Sequence, residues 1–197
     1  RGPRRKPIYR LLHHYNSLSN KMDNSLLAVR DLNHKYIVVG GKNVNRIEKV
    51  REAVDAVLLN VADDAERRCG YAHLYGVSQA CVLIALKRGE NAELAATAGM
   101  LHDIHTYAAM DPRDHAHKGA AMARDLLEAM KCFEAGEIDV ICSAVYHHSS
   151  KEITHAPFDE VLKDADVMQH CLYNPLFDVM KHETVRFGQL KAEFGLA

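Results

Sequence analysis

The sequence predicts an all-α protein, and three observations carry that expectation. Apolar residues recur at helical spacing along most of the chain. The stretches so marked are bounded by residues that cap or stop helices. Only one short run, "KYIVVGG" at 35–41, reads as a strand, and it ends in Gly-Gly. A chain of 197 residues, 48% of them hydrophobic, is long enough to bury a real core within one soluble domain.

Residues 1–44 read as an irregular or helical extension, and residues 45–197 as the folded domain. Arg1, Arg4, Arg5, Lys6 and Arg10 cluster among Gly and Pro, the pattern of a solvated tail. The chain opens on Arg, and Met22 is a candidate internal start. The first helix spans 45–61, where Ile47, Val50, Val54, Val57, Leu58 and Val61 share one stripe, and Asn45 with Glu48 forms a capping box. A second covers 71–88 and stops at Gly89. Residues 91–103 are rich in Ala and Leu. Asp111-Pro112 pairs a capping carboxylate with Pro at the first helical position, so the next helix runs from there to about Lys131. Helices over 136–148 and 158–172 follow. Pro175 breaks the chain, and a last helix takes 176–193. The total is six to eight helices.

Composition narrows the function. Lys and Arg number 25 against 26 Asp and Glu, so no global field gathers nucleic acid. No apolar run has the length of a membrane span and no signal peptide is evident, so no membrane association is expected. The five cysteines stand alone, without a C-x-x-C, which argues against a zinc ribbon or a dithiol motif. Lone thiols suit a reducing compartment, and a cytoplasmic location is expected.

The thirteen histidines raise a sharper question. A polar group aimed into a core needs a partner, and a metal ion satisfies several at once. Helical phase selects the inward-facing ones. His73 leads a stripe with Val77, Ala80 and Ile84. His102 follows Ala95, Ala98 and Gly99, small residues that let helices approach, and Asp103 lies beside it where that helix ends. His115 is in phase with Gly119, Met122 and Leu126, while His117, the alternative, shares a more solvated face with Arg124 and Glu128. His148 continues Ile138, Ile141 and Val145; its alternative, His147, continues Val140 and Ala144. Asp166 follows Leu162, whereas Asp164 belongs with Glu160 on a polar side. The resulting metal set is His73, His102, Asp103, His115, His148 and Asp166. Such N and O donors suit Mn, Fe, Mg, Zn, Co or Ni, as one ion or as two bridged by Asp103.

His73, then His102-Asp103, then Asp166 resembles the H…HD…D pattern of the HD-domain superfamily of metal-dependent phosphohydrolases. The similarity spans about residues 50–172. It follows that superfamily's order through "YAHLYGVSQA", "AGMLHDI", "HAHKGAAMARDLL", "ICSAVYHHSSK" and "LKDADVMQH". His115, four residues before Gly119-Ala120, and His148, followed by a serine, are similar to the two extra histidines of subgroups with a dinuclear centre. The resemblance implies a compact helical bundle that hydrolyses a phosphoester or phosphoanhydride of a small, nucleotide-like substrate. Its implied catalytic residues are His102 and Asp103, and Lys118 and Lys151 are candidates to meet a substrate phosphate. One departure stands out. Subgroups that degrade cyclic dinucleotides follow HD with Ile-Gly-Lys, where this chain has Ile104, His105 and Thr106, which points away from that activity and leaves His105 outside the metal set. Two other readings remain: an HD-fold mixed-valent di-iron oxygenase, and a non-catalytic nucleotide-sensing module. The extension and the last helix, striped by Phe187, Leu190 and Phe194, are expected either to cover the core or to make a homodimer.

Overall fold

The computed structural model describes residues 27–30, 36–39 and 45–196, and the chain divides into two units, Arg1–Asn43 and Val44–Ala197. The expected basic tail and the internal start at Met22 lie outside the described residues. In the first unit, β1 (Leu27–Arg30) pairs antiparallel with β2 (Tyr36–Val39), with Leu27 opposite Val39 and Arg30 opposite Tyr36. The strand-like run is therefore half of a hairpin, and at residues 27–30 and 36–39 strands stand in place of the irregular or helical reading. A β-rich run needs a paired strand, and "LAVR" is too short to announce itself as one.

The second unit is all α among its described residues. Its eight helices are α1 (Arg46–Leu59), α2 (Asp64–Arg88), α3 (Ala92–Leu101), α4 (Ile104–Ala109), α5 (His115–Met130), α6 (Ala135–His147), α7 (Pro157–Tyr173) and α8 (Thr184–Phe194). Local chemistry sets their ends. The Asn45 side chain accepts from the Glu48 amide, and Asn91 accepts from Glu93 and Leu94. Gly89, at φ 76°, closes α2.

Three boundaries differ from expectation. α2 begins seven residues earlier than its apolar stripe, because Asp63 caps it through the Ala65 and Glu66 amides while its first two turns are polar and solvated. Asp111 does accept from the Arg113 amide, but in a local turn, and α5 starts only after Asp114, which takes φ 55°. α8 begins at Thr184, eight residues after the expected start, because residues 174–183 form turns.

The centre of the bundle is α3. Every residue from Leu94 to Leu101 is buried, so this helix is apolar all round rather than amphipathic. It packs against α1, α2, α6 and α7. Close approach to α2 is possible only because residue 99 is glycine. A Cβ there would lie 2.6 Å from the Ser78 Cα. The α2 helix is long and apolar enough, by length and composition, to cross a membrane. Its Leu74, Val77, Cys81 and Ile84 are instead fully buried in the core.

A charged layer ties the outer helices together. Arg88 of α2 and Arg186 of α8 both pair with Asp164 of α7, at 2.7 and 2.6 Å, and Arg186 also reaches Glu160 at 2.8 Å. The side of α7 expected to be solvated is therefore buried against α2 and α8, and Asp164 is 6% exposed. A buried carboxylate is tolerated there because two guanidiniums answer it.

Candidate metal centre

Four helices and one helix junction deliver polar groups to a single point. His73 comes from the third turn of α2, His115 is the first residue of α5, His148 is the C-terminal cap of α6, and Asp166 lies midway along α7. His102 ends α3, and Asp103 follows at φ −111°, ψ 16°, before α4 begins. That break splays two adjacent side chains toward the same space. Gly119 admits the start of α5, since a Cβ there would sit 3.0 Å from the His102 carbonyl oxygen.

The imidazoles are held in one tautomer. Each of the four donates its Nδ1–H to an oxygen: His102 to the Gly99 carbonyl at 2.8 Å, His115 to Pro112 at 2.8 Å, His148 to Val145 at 2.6 Å, and His73 to the Gln169 side-chain oxygen at 2.9 Å. A carbonyl oxygen only accepts, so the ring proton resides on Nδ1 and the Nε2 lone pairs face inward. Those lone pairs meet in two facing sets. The Nε2 atoms of His73 and His102 are 3.0 Å apart, and those of His115 and His148 are 3.1 Å apart.

Asp103 stands between the two pairs. Its Oδ2 lies 3.5 Å from His73 Nε2 and 3.7 Å from His102 Nε2, and its Oδ1 lies 3.4 Å from both His115 and His148. Asp166 Oδ1 adds to the first pair, 3.6 Å from His73 and 3.8 Å from His102. Both Asp103 Oδ1 and Asp166 Oδ1 are buried without a hydrogen-bond partner. Two orphaned carboxylate oxygens beside unshared nitrogen lone pairs form a donor set that fits divalent cations. The groups His73/His102/Asp103 and Asp103/His115/His148 each offer donor atoms within 4.8 Å of one another.

Electrostatics agree with that fit. Burial opposes ionisation of Asp103, but His102, His148 and His73 outweigh it and hold its carboxyl well below the usual carboxylate range. Burial likewise opposes charge on Asp166, and His102, Lys151 and His170 lower it. His102 is fully buried, which depresses it to about 4, so its imidazole is neutral and able to ligate near pH 7.

Among the described residues, the alternative histidines lie outside the cluster. His117 pairs with Asp114 at 2.7 Å and stacks on Tyr146, and His147 pairs with Asp159 at 2.9 Å. His105 lies on α4, outside the cluster. Lys118 is exposed and donates to the Arg113 carbonyl at 3.0 Å. Lys151 is brought in, with its Nζ 2.7 Å from Asp166 Oδ2 and 3.3 Å from Glu183 Oε1. Burial works against its charge, but Asp166 and Glu183 raise it, so the ammonium persists.

Three residues of the site escape the sequence reading. Gln169 fixes the His73 tautomer. His170 points its Nε2 to within 3.4 Å of Asp166 Oδ1 and donates Nδ1–H to Glu183 at 2.8 Å. Glu183, 1% exposed, enters from the turn before α8. The i, i+4 spacing of Asp166 and His170 is the signal that could have found His170; nothing local marks Glu183.

A family model described as HD domain matches residues 70–171. The chain is also similar to a predicted HD superfamily hydrolase from an uncultured Thermotogales bacterium, at 23% identity and a TM-score of 0.49, over 77% of this chain and 87% of that one. No curated protein matches it.

Proposed function

Because the chain belongs to the HD-domain family, we propose that it is a metal-dependent phosphohydrolase acting on a small, nucleotide-like phosphorylated substrate. The observation that supports this reading is the pair of facing Nε2 sets divided by Asp103. His73, His102, Asp103 and Asp166 would hold one divalent ion, and His115, His148 and Asp103 a second. Such ions bind phosphoryl oxygens and lower the pKa of coordinated water.

The chain's own residues do the rest. The Asp103 carboxylate, ionised throughout the neutral range, divides its two oxygens between the two histidine pairs and so sets their spacing. The backbone carbonyls behind His102, His115 and His148 fix the neutral tautomer whose Nε2 carries the lone pair, as donor atoms require. Lys151 brings a buried positive charge to the cavity shared with His115 and His148, where it offsets charge on a phosphoryl oxygen. Ser149, whose hydroxyl is 3.0 Å from His115 Nε2, adds a neutral donor on the same wall.

The test is metal analysis of the purified chain coupled to a panel of phosphomonoesters, phosphodiesters and phosphoanhydrides. The expected result is turnover that follows metal content and is lost on chelation. A metal-loaded protein without turnover on any of the three classes would exclude the reading. Oxygen uptake by an iron-loaded sample would favour the oxygenase instead.

A further inference from the structure

Two cavities meet at Asp103 and His170. The smaller, about 350 Å³, contains His115, His148 and Lys151. The larger, about 470 Å³, opens beside His73 and is walled by Tyr107, Tyr173, Phe177, Val179 and Met180. Resting on the phosphohydrolase reading, we propose that the larger cavity receives the leaving group of a phosphate monoester, and that this group is flat, largely apolar and uncharged.

A bond cleaved at Asp103 needs room for a phosphoryl group and for a leaving group, and the two cavities share Asp103 and His170 in their walls. The larger one has the volume of a small-molecule pocket. Its wall carries three aromatic rings and two aliphatic side chains. Tyr173 and Phe177 are 61% and 70% exposed, so a planar group stacked on them removes apolar surface that now faces water.

Charge decides how many phosphates fit. Among the described residues, no Lys or Arg lines the larger cavity, whereas Asp103, Asp178 and Glu183 do. The smaller cavity holds a single lysine, already engaged by two carboxylates. A second or third phosphate extending past the metal ligands faces Asp178 and Glu183 with no Lys or Arg in the cavity lining to answer them. Substrates carrying several phosphates are thereby disfavoured, and a single phosphoryl group with a neutral leaving group is favoured.

The experiment uses the metal-loaded full chain and four probes. Comparing 1-naphthylmethyl phosphate with ethyl phosphate, both alkyl esters with similar leaving-group basicity, isolates the flat apolar group. Comparing a nucleoside 5′-monophosphate with its triphosphate isolates the charge. The expected result is a kcat/KM at least tenfold higher for the first of each pair, with the naphthyl preference collapsing in Phe177→Ala. Equal values within either pair, or a better triphosphate, overturn the proposal. A second readout does not depend on turnover: saturation-transfer NMR on the ring protons of 1-naphthyl phosphonate with the metal-free protein. A signal that Phe177→Ala abolishes supports the cavity assignment even where no ester is hydrolysed, a result that would sink only the phosphohydrolase reading. No signal from the unaltered protein overturns the assignment.

Discussion

The Nε2 atoms of His73 and His102 lie 3.0 Å apart with both ring protons on the opposite nitrogens. In their neutral forms two lone pairs at that distance repel, and either a proton on His73 or a metal ion relieves the contact. The arrangement persists because each ring is tied from behind and because helices α2 and α3 are locked together by the core. These donors fit a divalent cation.

Removing Asp103 should empty both halves of the centre, since it is the one residue whose oxygens reach both. For Asp103→Ala, metal content is expected to fall below about a tenth of stoichiometric, and turnover by at least about a thousandfold, in line with loss of the group that joins the two sites. Elemental analysis and kinetics on the same preparation check this. Full metal content with full turnover would refute the assignment.

Metal binding should stabilise the fold, because it relieves the facing lone pairs and because the unfolded chain holds no such cluster. At a free metal concentration about 100 times Kd, the gain is about 2.7 kcal/mol. The Tm should rise on adding Mn(II) or Fe(II) to chelated protein. The double variant His115→Ala/His148→Ala should retain only part of the rise. A flat Tm in the unaltered chain would count against the centre.

Gly99 should tolerate no side chain. A Cβ at that position meets the Ser78 Cα at 2.6 Å and the Ser78 nitrogen at 2.8 Å, both backbone atoms that cannot swing aside. Gly99→Ala is expected to destabilise by about 1–3 kcal/mol through overpacking. Gly136→Ala, at a helical position with nothing within 4 Å, should instead stabilise by up to about 1 kcal/mol. Denaturant unfolding of the pair gives opposite signs if α3 packs as described.

The charged layer between α7 and α8 should make stability fall in acid. Burial opposes ionisation of Glu160, but Lys163, the His155 amide and Arg186 hold its carboxyl at about 2, below the ordinary 4.5. A depressed folded-state pKa means the stabilisation is whole above about 4.5 and drains away as pH falls toward 2. Tm measured across that window should drop, and Glu160→Gln should flatten the slope. An unchanged slope in the variant would show that other carboxylates govern acid unfolding.

Glu183 should act through its neighbours. It accepts from His170 Nδ1 and Lys151 Nζ while its Oε2 has no partner. Glu183→Gln keeps the shape but removes the charge that orients both. Metal affinity or kcat is expected to fall about 10–100-fold, as for other outer-shell partners of a metal site. Titration calorimetry against kinetics separates the two, and an unaltered pH profile would argue that Glu183 is structural only.

Much of the bundle was legible because helices in a small protein advertise themselves by phase. Val50, Val54 and Leu58 mark α1 as surely in the sequence as in the core. Phase also singled out His73, His102, His115, His148 and Asp166, since a residue in register with a buried stripe is carried inward with it. Helix starts were less legible. Asp111-Pro112 has the chemistry of an N-cap, yet it serves a turn, because the same side-chain bond stabilises both.

The sequence by itself determined an α-helical domain, the inward direction of five donor residues, and the Ala-rich helix on which His102 and Asp103 end. Each of those follows from spacing within one helix. Tertiary structure alone decided what those donors meet. It paired His73 with His102 and His115 with His148, set Asp103 between them, and buried Asp164 against Arg88 and Arg186. It also brought Glu183 to His170 across 13 residues, and opened an apolar cavity on one side of Asp103. The physical reason is that helical period fixes which way a side chain faces, whereas distances between helices depend on how all the faces pack at once.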